Sequence, residues 1–112
     1  MGFTPKINED NSSRFSKLKH DIENWATDRG IIANATPASQ LLKAASEFGE
    51  LCDAENKGQH DEAVDAVGDV LVCIINYCAI KQYDIEDCLS LAYEEIKDRK
   101  GYLTKDGCFV KE

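Results

Sequence analysis

Apolar residues recur every three or four positions in four segments of this chain, and this spacing constrains the fold more than any other feature. Residues three and four apart share one face of a helix, so each segment predicts an amphipathic helix. We expect helices at about 13–29, 37–57, 60–81 and 85–96. Each apolar face needs a neighbouring helix to cover it, and the sequence therefore predicts an all-α, four-helix bundle.

The ends of these helices carry recognisable signals. Gly30 and Gly58 follow the first two apolar segments, where glycine commonly ends a helix. Thr36 is a suitable N-cap for the second helix, with Pro37 at its first position, and Asp84 is a suitable N-cap for the last.

The chain is long enough for one domain. We expect a flexible N-terminal arm at 1–12, the helical domain at 13–100, and a C-terminal tail or hairpin at 101–112. The tail reads as two short extended pieces around a turn at 105–107.

Charge and composition exclude several classes of protein. The formal net charge of −8 argues against a general nucleic-acid binder, which needs a basic face for phosphates. The start of the chain lacks the apolar segment of a signal peptide, and the longest mainly apolar run, 70–80, is too short to span a bilayer. The five cysteines form no CxxC pair, and we expect most of them to be buried in helices of a protein in a reducing compartment. We therefore expect a cytoplasmic protein without a membrane partner.

Four acidic residues lie beside the most apolar part of the chain. Glu47 and Glu50 share a face of the second predicted helix, and Asp65 and Asp69 share a face of the third. Aligned carboxylates repel one another unless a cation neutralises them, and Mg²⁺ prefers such oxygen ligands. Spacing alone nevertheless favours the usual interpretation, a solvated acidic face. A magnesium site is the alternative.

Other kinds of site fit the sequence less well. A di-iron bundle would need Glu-x-x-His pairs, which His20 and His60 do not complete. A phosphate-binding loop would need clustered glycines, and the glycines here are isolated.

The stretches "ASEFGELCDAENKG" and "DAVGDVLVCIINYC" resemble the MazG-like nucleotide pyrophosphohydrolases. The sequence motif of these enzymes is Glu-x-x-Glu on one helix and Glu-x-x-Asp on the next. The similarity extends over about residues 20–112, through "WATDRGI" and "LAYEEIKDRKG" to the ending "GCFVKE".

The resemblance assigns the acidic residues position by position. Glu47 and Glu50 match the first motif, and Asp69 matches the last residue of the second. The glutamate of the second motif falls on Ala66, which cannot bind a metal ion. Asp65, one residue earlier, is our candidate to take over part of that role.

The resemblance implies a hydrolase that cleaves a nucleoside triphosphate between its α and β phosphates, giving a monophosphate and pyrophosphate. It implies Mg²⁺, with Mn²⁺ as a substitute, held by Glu47, Glu50, Asp69 and Asp65. We expect either Glu47 or Glu50 to be the catalytic base. The relatives are all-α dimers or tetramers, so we also expect a homodimer or homotetramer.

Further residues are candidates for binding the substrate: Lys43, Asn76, Lys97, Arg99, Lys100 and Trp25. Each has a simpler interpretation. At least one of the three basic residues at 97–100 is expected to be a solvated helix end. Asn76 suits either the substrate or a polar pair between helices, and an aromatic residue such as Trp25 is more often part of a core.

A different class of function stays open at this point. Ala66 removes a ligand that the family normally has, which favours a non-catalytic helical module that binds nucleotides or a partner protein. A purely structural acidic bundle is a third interpretation.

Overall fold

The computed structural model of the chain describes residues 9–112, with side chains from residue 14 onward. The described residues divide into two compact units, 9–82 and 83–112. The elements are α1 (Glu9–Asp28), α2 (Ile31–Asn34), α3 (Pro37–Asn56), α4 (His60–Lys81), α5 (Ile85–Ile96), β1 (Gly101–Leu103) and β2 (Phe109–Lys111). The prediction of a mainly helical protein is confirmed.

The first helix is longer than its apolar spacing indicates. It begins at Glu9, so 9–12, which we expected in the flexible arm, are helical. The rest of that arm, 1–8, lies outside the described residues.

A short helix, α2, was not predicted. Gly30 ends α1 in the left-handed region, with φ of 77°, as its place after the apolar segment indicates. The side-chain amide of Asn34 then donates a 2.8 Å hydrogen bond to the Gly30 carbonyl. This local bond closes a single helical turn that carries too few apolar residues to show a period.

The predicted caps are confirmed. Ser39 donates its backbone N–H to Thr36 Oγ1 at 3.1 Å, and the Thr36 N–H donates back to Ser39 Oγ at 3.2 Å. Pro37 follows as the first helical residue. Asp84 caps α5 in the same way, accepting a 2.8 Å bond from the Glu86 N–H. Each cap satisfies helix-end donors that have no partner inside the helix.

The first unit is built around a hairpin of α3 and α4, the pair of elements that pack most extensively. Gly58, with φ of 68°, reverses the chain between them. The facing side chains are small: Ala44, Ala54 and Ala66 and the thiol of Cys73 are all buried. Small side chains let the two helix backbones approach closely. α1 packs against α4, and α2 contacts α1 and α4.

Most large apolar residues that we expected in the core are exposed instead. No large side chain in the described residues is fully buried. The exposed large apolar residues that recur at helical spacing in the four predicted segments include Phe15, Leu18, Trp25, Leu41, Leu42, Phe48, Val64, Val67, Leu71, Leu89 and Ile96. The core prediction is wrong for them. On α1, α3 and α4 the apolar face is wider than the part that a neighbouring helix covers, and α5 is the only helix of the second unit.

The cysteine prediction is also wrong in part. Cys73 and Cys78 are buried, but Cys52, Cys88 and Cys108 are exposed, and all five are free thiols. Helical spacing alone does not distinguish a buried thiol from one at the edge of the apolar stripe.

The second unit contains α5 and a β-hairpin. β1 and β2 pair antiparallel, with Tyr102 opposite Val110, and Gly107 adopts φ of 86° in the turn. The Thr104 hydroxyl accepts a 3.1 Å bond from the Cys108 N–H across the turn. These are the two extended pieces that the turn signal at 105–107 predicts.

Among the described residues, α4 is long and apolar enough, by length and composition, to cross a membrane, with a mean hydropathy of 1.8. A core helix of a soluble protein passes the same test. Asp65 and Asp69 lie within α4, and a central aspartate opposes insertion by about 2.5–3.5 kcal/mol. The expectation of a cytoplasmic protein without a membrane partner stays a prediction.

Candidate functional site

The α3–α4 hairpin brings the four predicted acids into one electrostatic group. Glu47 and Glu50 share a side-chain hydrogen bond on α3, and Asp65 and Asp69 share one on α4. Asp69 also interacts electrostatically with both glutamates across the hairpin. The grouping expected from helical spacing is therefore present.

The carboxylates of this group repel one another, and the pKa values of two of them are raised. The hydrogen bond that the Glu50 carboxyl donates to Glu47, together with the negative charge of Glu47, raises the pKa of Glu50 above the ordinary value, with smaller contributions from desolvation and Asp69. Desolvation chiefly raises the pKa of Asp69, and the charges of Asp65 and Glu47 add to the effect. A carboxyl whose neighbours are carboxylates holds its proton more tightly because its ionised form is repelled.

A cleft of about 240 Å³ lies between α3 and α4 beside these acids. Its lining is mainly acidic: Glu50, Asp53, Ala54, Gln59, Glu62, Asp65, Ala66 and Asp69. Our sequence analysis missed Asp53 and Glu62. The signal was present, since Asp53 lies three residues after Glu50 and Glu62 seven before Asp69, on the same helix faces.

Ala66 lines this cleft and is 5% exposed. A longer side chain at this position would extend toward Glu50 and Asp69. Position 66 therefore falls inside the acidic cleft, where Glu62 and Asp65 supply carboxylates nearby.

The donor chemistry of the cleft fits a hard divalent cation, because carboxylates are carried by five of its lining residues: Glu50, Asp53, Glu62, Asp65 and Asp69. In the described part of the chain, no three His, Cys, Asp or Glu side chains are gathered tightly enough to hold a metal ion. The acids instead form two hydrogen-bonded pairs, and the pKa of Glu50 and of Asp69 is raised by neighbouring carboxylates and by desolvation. A positive charge nearby opposes this effect.

Lys43 supplies part of that charge. Its Nζ lies 3.5 Å from Glu47 Oε1, and the Glu47 side chain is only 15% exposed. The ammonium group lowers the pKa of both Glu50 and Asp69, opposing the repulsion of the acids. The predicted substrate residue Lys43 is thus part of the acidic group.

Cys73 lies near the same charges. Burial raises the pKa of its thiol, and Glu47 and Asp69 raise it further, whereas Lys43 lowers it. The thiol is therefore held neutral and is a packing group between the helices.

Two clefts of about 380 and 500 Å³ lie on the other side of α4, between it and α1. Asp69 lines both of them, and Trp25 lines the smaller. Their other residues are mostly apolar and include Leu18, Ile22, Val72 and, in the larger cleft, Phe15, Leu71 and Ile75. The acidic group therefore opens toward an apolar surface on its α1 side.

Trp25 is 45% exposed, so the interpretation of this residue as a core aromatic is wrong. The guanidinium of Arg29 lies 5.8 Å from the centroid of its ring, a cation–π arrangement.

Lys19 is a buried residue that sequence analysis missed. It is 9% exposed and lines the larger apolar cleft together with Asp65 and Asp69. A lysine in the row Phe15, Lys19, Ile22, Ala26 breaks an otherwise apolar helix face, and this was the available signal.

Asn76 is 3% exposed, and its Oδ1 has no hydrogen-bond partner within the described residues. It lines none of the three clefts. Its role in binding a substrate stays a prediction, and no polar pair between helices satisfies its carbonyl oxygen.

The predicted basic residues Lys97, Arg99 and Lys100 belong to the second unit. α5 ends at Ile96 with Lys97 as its C-cap, so Arg99 and Lys100 follow the helix. Lys97 pairs with Glu94 at 2.8 Å, and the Lys100 carbonyl accepts a bond from the Glu112 N–H. Their role in binding phosphate stays a prediction.

Comparison with known proteins adds one relative. An uncharacterized 18.2 kDa protein in the rep-hol intergenic region of Haemophilus phage HP1 (strain HP1c1) is 39% identical over 59 residues, 53% of this chain. The chain spans 36% of the length of that curated relative. No family model matches the chain, and no solved structure matches it. The relative carries no described reaction, so the function has to be argued from the site.

Proposed function

We propose that this protein is a Mg²⁺-dependent nucleotide pyrophosphohydrolase, which cleaves a nucleoside or deoxynucleoside triphosphate to the monophosphate and pyrophosphate. The observation that carries the proposal is the convergence of Glu47, Glu50, Asp65 and Asp69 from two helices onto one group. The motif match to MazG-like enzymes at three of these positions supports it.

The four acids and Lys43 would have different roles in the reaction. Mg²⁺, or Mn²⁺ in its place, would neutralise charge on the phosphate oxygens when held by these carboxylates. Glu47 or Glu50 would accept the proton of the attacking water at a carboxylate oxygen. The raised pKa of Glu50 suits such a base, because a stronger proton acceptor is available at neutral pH. Lys43 would bind a phosphate oxygen beside them.

The other end of the substrate suits the α1 side of α4. A nucleoside is flat and largely apolar, unlike its phosphate chain. The apolar clefts share Asp69 with the acidic group, and the exposed ring of Trp25 offers a surface for stacking. We propose that the base lies against Trp25, while Asn76, Lys97, Arg99 and Lys100 stay candidates for further contacts.

We also propose a four-helix, MazG-like fold in a homodimer or homotetramer in the cytoplasm. The large exposed apolar side chains support this, because Leu42 is 73% exposed, Phe48 56% and Leu89 68%. Apolar surfaces of this kind mark sites of association.

The second candidate function is a non-catalytic module of the same fold, which binds a nucleotide or a protein. Ala66 favours it, because this residue places a methyl group in the acidic cleft where the family has a carboxylate.

Product analysis by chromatography tests the proposal. The purified protein is incubated with each common NTP and dNTP, with Mg²⁺ or with a chelator. Glu50→Gln is the inactive variant, and Glu55→Gln on the same helix, outside the cleft, is its matched control.

Monophosphate and pyrophosphate, lost with chelator and in Glu50→Gln only, would support the proposal. Diphosphate and phosphate would overturn it, because the wrong bond would be cleaved. No turnover by folded protein, together with measurable nucleotide binding, would favour the non-catalytic module.

A further inference from the structure

We infer that Lys43 is the internal counter-ion of the metal site: it neutralises Glu47 while no divalent cation is bound, and it is released to the phosphate chain when one binds. The inference rests on the proposed function and adds a role for Lys43 before substrate arrives.

The first observation is the position of the ammonium group. Lys43 Nζ lies 3.5 Å from Glu47 Oε1, and these side chains are 64% and 15% exposed. The cation is therefore solvated and free to turn away, whereas its carboxylate partner is held mostly out of water.

The second observation is the position of Lys43 on α3. Lys43, Glu47 and Glu50 lie four and three residues apart, so they share one face of this helix. The ammonium group is therefore on the same side of α3 as the two glutamates that we propose as ligands of the metal.

Other lysine pairs with the same spacing lack these properties. Lys17 lies 3.0 Å from Asp21 and Lys57 lies 2.8 Å from Asp53, but both aspartates are more than half exposed. Such exposed pairs contribute little, because water screens both charges. Lys43 differs through the shielding of its partner.

A divalent cation and Lys43 compete for the same carboxylate. Two positive charges a few ångströms apart repel each other, so binding of a metal at Glu47 must displace the ammonium group. The displaced group lies within one side chain's reach of the site, where a triphosphate brings new negative charge. Lys43 therefore opposes the metal when it is alone and favours the metal–nucleotide complex.

The experiment measures binding of Mn²⁺ alone to the full chain, by calorimetry or by its paramagnetic resonance signal, at pH 8 so that the carboxylates are ionised. Lys43→Met should bind Mn²⁺ about three- to tenfold more tightly than the natural protein, because the competing charge is gone. Lys17→Met makes the same change in net charge and should alter the affinity less than about twofold. Lys43→Arg should restore the natural affinity.

Binding of the nucleotide should change in the opposite direction to binding of Mn²⁺. At saturating Mg²⁺, Lys43→Met should raise the KM for the nucleotide about tenfold, because a charged contact to phosphate is lost. A residue that merely stabilised α3 would not tighten metal binding while weakening nucleotide binding.

The outcomes separate the inference from the proposed function. If the natural protein hydrolyses nucleotides but Lys43→Met binds Mn²⁺ equally or more weakly, the inference is wrong and the function stands. If the natural protein neither binds Mn²⁺ nor hydrolyses nucleotides, both are wrong. If it hydrolyses nucleotides and neither it nor Lys43→Met binds Mn²⁺ alone, only the inference is wrong. Circular dichroism checks the fold, and Lys43→Gln repeats the test should the methionine variant be misfolded.

Discussion

The cleft on the α3 side of α4 and the clefts on its α1 side are lined by different residue types, although Asp69 belongs to all of them. Toward α3, small side chains bring two helices close together and leave room for carboxylates. Toward α1, large apolar side chains stand apart and leave open grooves. Under the proposed function, this difference would let one helix serve both ends of an amphipathic ligand, with the charged end and the apolar end on opposite sides of a shared residue.

Asp69→Asn should have the largest effect, because it removes the carboxylate common to both sides. We expect kcat to fall about 10³-fold, within the range found for the loss of a key charged group. Chromatography of the products measures it. Asp61→Asn, in the first turn of the same helix, is the control and should retain activity. Equal rates for both variants would mean that Asp69 takes no part in the reaction.

Trp25→Leu should weaken nucleotide binding in the apolar clefts between α1 and α4 and leave the acidic cleft unchanged. Loss of a stacking surface typically weakens binding by about 1–3 kcal/mol per base, so KM should rise about tenfold or more while kcat changes little. Steady-state kinetics measures the two separately, and Trp25→Phe should recover much of the affinity. A fall in kcat at constant KM would contradict this division of roles. Trp25 is the single tryptophan of the chain, so its fluorescence also reports nucleotide binding directly.

Ala66→Glu should strengthen cation binding in the acidic cleft between α3 and α4. Position 66 lies inside the acidic cleft, and a carboxylate there should tighten Mn²⁺ binding about threefold to tenfold and raise activity less than that. Ala66→Gln has the same size without the charge and should not tighten binding. If both variants behave like the natural protein, Asp65 and Glu62 already supply what Ala66 lacks.

The smallest effect concerns stability without metal. The pKa of Glu50 is raised in the folded protein above the ordinary 4.5, so the folded state binds this proton more tightly than the unfolded state. The stabilisation is complete below the unfolded pKa and is lost as the pH rises through the folded pKa. In chelator, Glu50→Gln should therefore melt slightly above the natural protein at pH 7, by about a few degrees at most. Thermal unfolding at a series of pH values measures it, and the difference should vanish toward pH 4. A difference independent of pH would point to packing instead of charge.

Local features of this fold were predictable from sequence because their causes are local. The caps at Thr36 and Asp84 depend on side chains that bond to N–H groups two or three residues away. The grouping of Glu47 and Glu50 depends only on helical spacing. The left-handed Gly30 follows from its place after an apolar segment.

The rest depends on what covers each helix, which spacing does not specify. Leu42 and Phe48 have the same apolar character as Ile75, yet they are exposed because the small residues of α3 take the contact with α4. Lys19 is buried against expectation because its neighbours in the row face α4. Glu62 and Asp53 entered the site because the hairpin folds them onto the same cleft, which single-helix patterns do not reveal.

The turn at Gly58 has a consequence for how the chain folds. Glu47 and Asp69 are separated by one short hairpin, so little loop entropy opposes their approach, and contacts of such low sequence separation form early in folding. We therefore expect the acids to meet while the hairpin closes. Their repulsion should then slow this closing step, and a cation that neutralises them should speed folding as well as stabilise the folded state.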